Sequence, residues 1–163
     1  MLFDSIVYGP IRSRRLGVSL GMNLMPTTAK LCTFDCVYCE CGWNQPISHP
    51  TLPTREQVRE ALTSTLLSIA NNQSPITNHI DVITFSGNGE PTLHPDFLGI
   101  IQDTCALRNQ YCPQAKISVL SNSTQLGRKD VVEALQLCDN RILKLDSAID
   151  TTMRLIDKPI NPT

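Results

Sequence analysis

Short apolar, β-branched runs alternate with amphipathic stretches along this 163-residue chain, and a polar motif follows each run. Residues 80–85 read as a buried strand that leads into the turn-rich segment Ser86-Gly87-Asn88-Gly89-Glu90-Pro91. Residues 116–120 read as a strand, Ser121-Asn122-Ser123-Thr124 as a loop, and residues 128–137 as a helix. Residues 141–145 read as a fourth strand that ends at Asp146. Earlier, residues 16–24 alternate strictly, with Leu16, Val18, Leu20, Met22 and Leu24 on one face, which predicts a strand with one buried side, ended by Pro26. Strands alternating with helices imply an α/β fold with parallel pairing and right-handed crossover helices.

The helices between these strands have their own signals. Thr54-Arg55-Glu56-Gln57 matches a capping box, in which the Thr hydroxyl and the Gln amide satisfy N–H groups of the first turn. Val58, Leu62, Leu66 and Ile69 follow at helical spacing, with Asn71-Asn72 as the stop. Pro95 suits the first turn of a second helix that buries Phe97, Leu98, Ile101 and Cys105. In parallel α/β folds, sites are built at the C-terminal ends of strands. The cysteine-rich stretch, the Gly87–Glu90 turn, Ser121-Asn122 and Asp146 are therefore expected to meet on one face.

Four of the seven cysteines fall within residues 32–41. In a reducing compartment such crowding reads as metal ligation rather than disulfide pairing. Cys32, Cys36 and Cys39 have the spacing C-x3-C-x2-C, which lets one loop wrap three corners of an iron–sulfur cubane and leaves one iron open. Zinc is the competing reading, with Cys41 or His49 completing a tetrahedral set. A single-cluster electron carrier is another. Cys41 is taken as a bystander, and Cys105, Cys112 and Cys138 as small core residues.

The spacing, with Tyr38 just before the last cysteine, resembles the radical SAM superfamily. Gly9-Pro10-Ile11-Arg12-Ser13-Arg14-Arg15-Leu16-Gly17, Cys39-Glu40-Cys41-Gly42 and residues 84–92 resemble its branch of Fe–S oxidoreductases related to wybutosine-synthesis enzymes. That resemblance implies a [4Fe–4S] cluster on Cys32, Cys36 and Cys39, whose fourth iron is chelated by S-adenosylmethionine. It also implies an enzyme that cleaves this cofactor reductively to a 5′-deoxyadenosyl radical. Gly87, Asn88, Gly89 and Glu90 stand where the superfamily holds the methionyl amino group, and Ser121 and Asn122 where it contacts the ribose or carboxylate. Tyr38 would contact the adenine, and Lys144 and Asp146 are candidates from the fourth strand. The implied fold is a partial (β/α)6 barrel, of which residues 1–163 supply about four βα units as one domain incomplete at its C-terminus.

The implied partners are a one-electron donor such as flavodoxin or ferredoxin and a substrate left open between a tRNA base, a peptide and a small metabolite. A net charge of −1 gives no electrostatic reason for an obligatory nucleic-acid or anionic-membrane partner. Arg12, Arg14 and Arg15 read as a solvated face. No stretch approaches the roughly 20 apolar residues of a membrane span. The first residues lack the pattern of a signal peptide, so the cytoplasm is the expected location.

Overall fold

The computed structural model describes residues 1–46, 48–71 and 79–160. Its centre is one five-stranded sheet in the order β1-β2-β3-β4-β5, formed by β1 (Val7–Ser13), β2 (Gly17–Asn23), β3 (Val82–Ser86), β4 (Lys116–Ser121) and β5 (Asn140–Leu143). The pairs β2–β3, β3–β4 and β4–β5 are parallel, as the strand–helix alternation requires. The crossovers carry α1 (Arg55–Ala70), α2 (Phe97–Tyr111) and α3 (Lys129–Gln136), and α4 (Asp150–Asp157) follows β5.

One face of the sheet is sealed by helices. Leu20 and Met22 of β2, Ile83 and Phe85 of β3, and Ile117 and Val119 of β4 are fully buried in a single cluster with residues of α1, α2 and α3. On α1 the buried residues are Val58, Leu62, Leu66 and Ile69, the four marked by helical spacing. Its capping box is present: Gln57 N donates to Thr54 Oγ1 at 3.2 Å, and Thr54 N donates to Gln57 Oε1 at 2.8 Å. The expected stop at Asn71-Asn72 is half visible, with Asn71 as the C-cap and Asn72 outside the described residues. Phe85 meets Phe97 edge to face, with ring centroids 6.2 Å apart.

The opposite face is lined by small polar groups. Ser19 and Thr84 share a hydrogen bond of 2.8 Å across β2 and β3, and Asn140 Nδ2 donates to Ser118 Oγ at 2.9 Å across β4 and β5.

Several expectations are corrected here. β1 was not legible, because Gly9 and Pro10 interrupt its pattern. It pairs antiparallel with β2, with a register irregularity between Tyr8 and Ile11, so the sheet is mixed rather than wholly parallel. Proline lacks the N–H of an interior ladder and suits such an outer strand. Residues 20–25 are buried on both faces, not one: the Tyr8 side chain lies over Gly21, and Asn23 packs against Gly87. Gly21 has no side chain for this reason: a Cβ there would fall 2.1 Å from the Tyr8 ring. Pro95 stands before the N-cap Asp96, outside the first turn of α2. That helix buries Ile100, Thr104 and Leu107 with Phe97 and Ile101, while Leu98 and Cys105 are only partly covered. Cys138 is buried in the core, and Cys105 and Cys112 pack against it, as expected of small core residues. The sheet has two edges, β1 and β5, so what is established is an α/β fold with a mostly parallel sheet. Among the described residues no helix is long and apolar enough to cross a membrane.

Candidate functional site

The C-terminal ends of β2, β3, β4 and β5 converge as their order along the chain demanded. The segment entering the cysteine loop runs beside the turn after β3: Leu31 N donates to Asn88 O at 2.9 Å, and Glu90 N donates to Leu31 O at 3.0 Å. Gly89 is essential to this approach. Its φ is +152°, and a Cβ would lie 1.8 Å from the Leu31 carbonyl oxygen. Gly87, at φ +119°, presses against Asn23 in the same way.

Asn88 is fully buried and its side chain is a clamp within the protein. Its Nδ2 donates to Phe3 O at 2.7 Å and to Pro26 O at 2.9 Å, while its Oδ1 accepts from Phe3 N at 2.8 Å. Glu90 is 2% exposed. Its Oε1 accepts from Thr92 N at 3.1 Å and from Ser121 Oγ at 2.8 Å, and its Oε2 accepts from Asn122 N at 2.6 Å. Ser121-Asn122 thus belongs to the loop after β4, and α3 begins later, with Arg128 as its N-cap. The Asn122 amide instead reaches the cysteine loop, donating to Thr33 Oγ1 at 2.8 Å and to Cys32 Sγ at 3.5 Å.

Within the loop, Cys39 N donates to Cys36 O at 3.0 Å and Gly42 N to Cys39 O at 3.1 Å, two successive turns. Cys32, Cys36, Cys39 and Cys41 are all half-buried. Burial pushes the Cys32 thiol above its ordinary pKa, and the nearby Glu90 carboxylate adds to the rise. Burial likewise raises Cys36, against the pull of Lys144, and raises Cys41, with Cys39 adding to it. Cys41 Sγ donates to Gly87 O at 3.3 Å.

Two lysines flank the thiols. Lys30 is buried, with Nζ 3.0 Å from Asp35 Oδ1 and 3.0 Å from Gly42 O. Burial alone would lower its pKa, but Asp35 and the charges of Cys39 and Cys32 outweigh that and raise it. Lys144 lies beside Cys36, with Nζ 3.1 Å from Asp146 Oδ2, and is paired with Asp157. Its pKa is also raised, the two carboxylates overcoming burial. Tyr38 is exposed and donates its hydroxyl to Asp146; burial of that hydroxyl and the hydrogen bond both raise its pKa. Lys30, Asp157 and Asn44, whose Oδ1 accepts from Cys32 N at 2.9 Å, went unmarked in the sequence. Lys30 lies two residues before Cys32, a signal that could have been used. Asp157 had none.

Arg12, Arg14 and Arg15 are exposed, as expected of a solvated face. Arg12 pairs with Val18 near the start of β2, which places these arginines at the other end of the sheet from the cysteine loop. His49, the alternative zinc ligand, is exposed.

No family model and no solved structure matches the chain. It is 37% identical over 155 residues to a UPF0026 protein of Helicobacter pylori, covering 94% of this chain and 46% of that protein. A UPF0026 protein of Methanocaldococcus jannaschii is 32% identical over 157 residues, which are 95% of this chain and 44% of that protein. A GTPase Obg of Brachyspira hyodysenteriae is 31% identical over 153 residues, 94% of this chain and 21% of that protein. This chain contains no Gly-x4-Gly-Lys-Ser/Thr phosphate loop, so that likeness is not carried by one. The chain spans about half the length of the UPF0026 relatives it matches.

These relatives correct the family reading. They are named UPF0026 proteins, and none bears the name of the radical SAM superfamily or of its wybutosine-related branch. The expectation of a radical SAM enzyme that reductively cleaves S-adenosylmethionine is replaced by likeness to UPF0026 proteins, whose names state no activity. Neither alternative, a structural zinc domain or an electron carrier, is supported by those names. The ready-made metal cage expected at Cys32, Cys36 and Cys39 is also corrected. Among the described residues no group of three or more His, Cys, Asp or Glu side chains is gathered to hold a metal ion. Cys32 Sγ is instead engaged by Asn122 Nδ2 at 3.5 Å, and Cys41 Sγ by Gly87 O at 3.3 Å.

Proposed function

We propose that the rim formed by the cysteine loop, the Gly87–Glu90 turn, Ser121-Asn122 and Asp146 is a cofactor-binding site. Its two expected occupants are a [4Fe–4S] cluster on Cys32, Cys36 and Cys39 and S-adenosylmethionine beside Glu90, Ser121 and Asn122. The observation that carries this reading is Glu90. A carboxylate 2% exposed is costly unless compensated. Among the described residues its partners are neutral donors, and only Asn122 N is recorded on Oε2. Four hydrogen bonds offset that cost, and an ammonium-bearing guest would add the charge-assisted contact that neutral donors do not provide.

The thiols support the other half of the reading. Three half-buried cysteines lie on one short loop, and Lys30 and Lys144 supply positive charge to offset an anionic thiolate cluster. Binding requires the thiols to lose their protons, so loading is favoured as pH rises. In this reading the site serves a cytoplasmic protein, a donor such as flavodoxin or ferredoxin reduces the cluster, and the open sheet is part of a partial (β/α)6 barrel within one domain over residues 1–163.

Anaerobic reconstitution followed by iron, sulfide and zinc analysis tests the thiol half. Iron and sulfide in equal amounts are expected in the wild type and in Cys41→Ala, and loss of both in Cys36→Ala. Zinc without iron, or loss in Cys41→Ala alone, overturns the ligand assignment.

A further inference from the structure

Asp157 is the only buried residue of α4, a helix whose Leu155 is 72% exposed. A surface helix is ordinarily held by an apolar stripe. The end of this one is fastened to the cysteine loop by polar contacts. Asp35 N donates to Asp157 O at 3.0 Å, Val37 N to Ile156 O at 2.9 Å, and Ile160 N to Thr33 O at 3.0 Å. Phe34 and Pro159 form an antiparallel bridge, and Lys158 turns the chain through a left-handed conformation at φ 45°. The end of α4 and the residues that leave it thus run beside the loop from Thr33 to Val37.

The side chains continue the connection. The Asp157 carboxylate is paired with Lys144, whose backbone N donates to Ser121 O at 2.9 Å just beyond β5. The Lys144 ammonium lies 4.9 Å from the centre of the Phe34 ring and 5.7 Å from that of Tyr38, both on the loop. Asp146 holds the same ammonium and accepts the Tyr38 hydroxyl. Lys144 is therefore the point at which β5, α4 and the loop are joined.

We propose that Lys144 and Asp157 are positioning residues that latch α4 onto the cysteine loop and hold Cys36 in place for its ligand. The latch itself stands on the geometry above; only its effect on a bound cluster rests on the cofactor reading.

Amide exchange on the full chain tests the latch without any metal. Asp157→Asn and Lys144→Met are expected to speed exchange of the Asp35 and Val37 amides about tenfold or more, because the opening becomes local. Ile83 and Phe85 in β3 should keep wild-type rates, which excludes general unfolding. Lys144→Arg should restore protection, since a guanidinium can serve both carboxylates and both rings. Leu155→Ser, on the exposed side of α4, should leave protection unchanged. Unchanged exchange at Asp35 and Val37 in the first two variants overturns the proposal.

The second readout is the rate at which a chelator removes iron from anaerobically reconstituted protein. Asp157→Asn is expected to release iron about tenfold faster or more, the scale of outer-shell changes at metal sites. Lys144→Arg should release it near the wild-type rate. Wild-type release in Asp157→Asn contradicts the proposed role at Cys36. A wild type that takes up no iron sinks the cofactor reading instead, and the exchange rates still decide the latch.

Discussion

The helix-covered half of the molecule and the rim around the cysteine loop are stabilised by different forces. Between β2, β3, β4 and the first three helices, Leu20, Phe85, Phe97, Ile101 and Ile117 exclude water almost completely. There, dispersion and apolar burial carry the stability. At the rim Arg141, Ile142 and Leu143 of β5 are exposed, α4 buries an acid, and the loop is fastened by backbone hydrogen bonds, two lysines and an asparagine.

That contrast breaks most sharply at Phe85. Phe85→Ala removes a ring fully buried against Phe97 and should cost about 3–5 kcal/mol in urea unfolding. Gly89→Ala attacks the junction of the two halves, where a Cβ meets the Leu31 carbonyl. It should cost about 1–3 kcal/mol and loosen the loop, read as faster exchange of the Leu31 and Glu90 amides. Thr54→Ala removes only the cap of α1, worth about 1 kcal/mol by thermal or urea unfolding, and should leave the loop amides unchanged.

The smallest effect concerns pH. Burial would raise the Asp35 pKa, but Asn44 N at 2.8 Å and the Lys30 ammonium outweigh it and hold the carboxyl below its ordinary value of 3.8. A carboxylate with a depressed folded pKa stabilises above its unfolded value and loses that contribution as pH falls through the folded one. Asp35→Asn should therefore flatten the acid limb of the stability curve below about pH 4 and leave its shape near pH 7 unchanged, as followed by urea midpoints across pH.

What could be read from the sequence was what is local or repeats along the chain. Val58, Leu62, Leu66 and Ile69 announce a helix face because the period lies within one segment, and Thr54 with Gln57 announces its start. The convergence of the cysteines, Glu90, Ser121-Asn122 and Asp146 was legible because parallel topology places strand ends together. β1 was hidden because its pairing with β2 outweighs the breaks at Gly9 and Pro10. Asn88 offered itself as a ligand contact, yet its amide is engaged by Phe3 and Pro26, distant in sequence. Asp157 carried no signal, since its burial depends on a loop more than a hundred residues earlier. The three-cysteine spacing constrains which loop can wrap a metal. It was too short to carry the family reading, which the UPF0026 relatives replaced.

The claim that the rim is a cofactor site is tested most directly by equilibrium binding of S-adenosylmethionine to the anaerobically reconstituted chain. The account predicts saturable binding that requires iron loading and weakens about tenfold or more in Glu90→Gln, a loss of about 1.4 kcal/mol or more. An iron-loaded chain that does not bind S-adenosylmethionine, or that binds it equally well with Glu90→Gln, would contradict it.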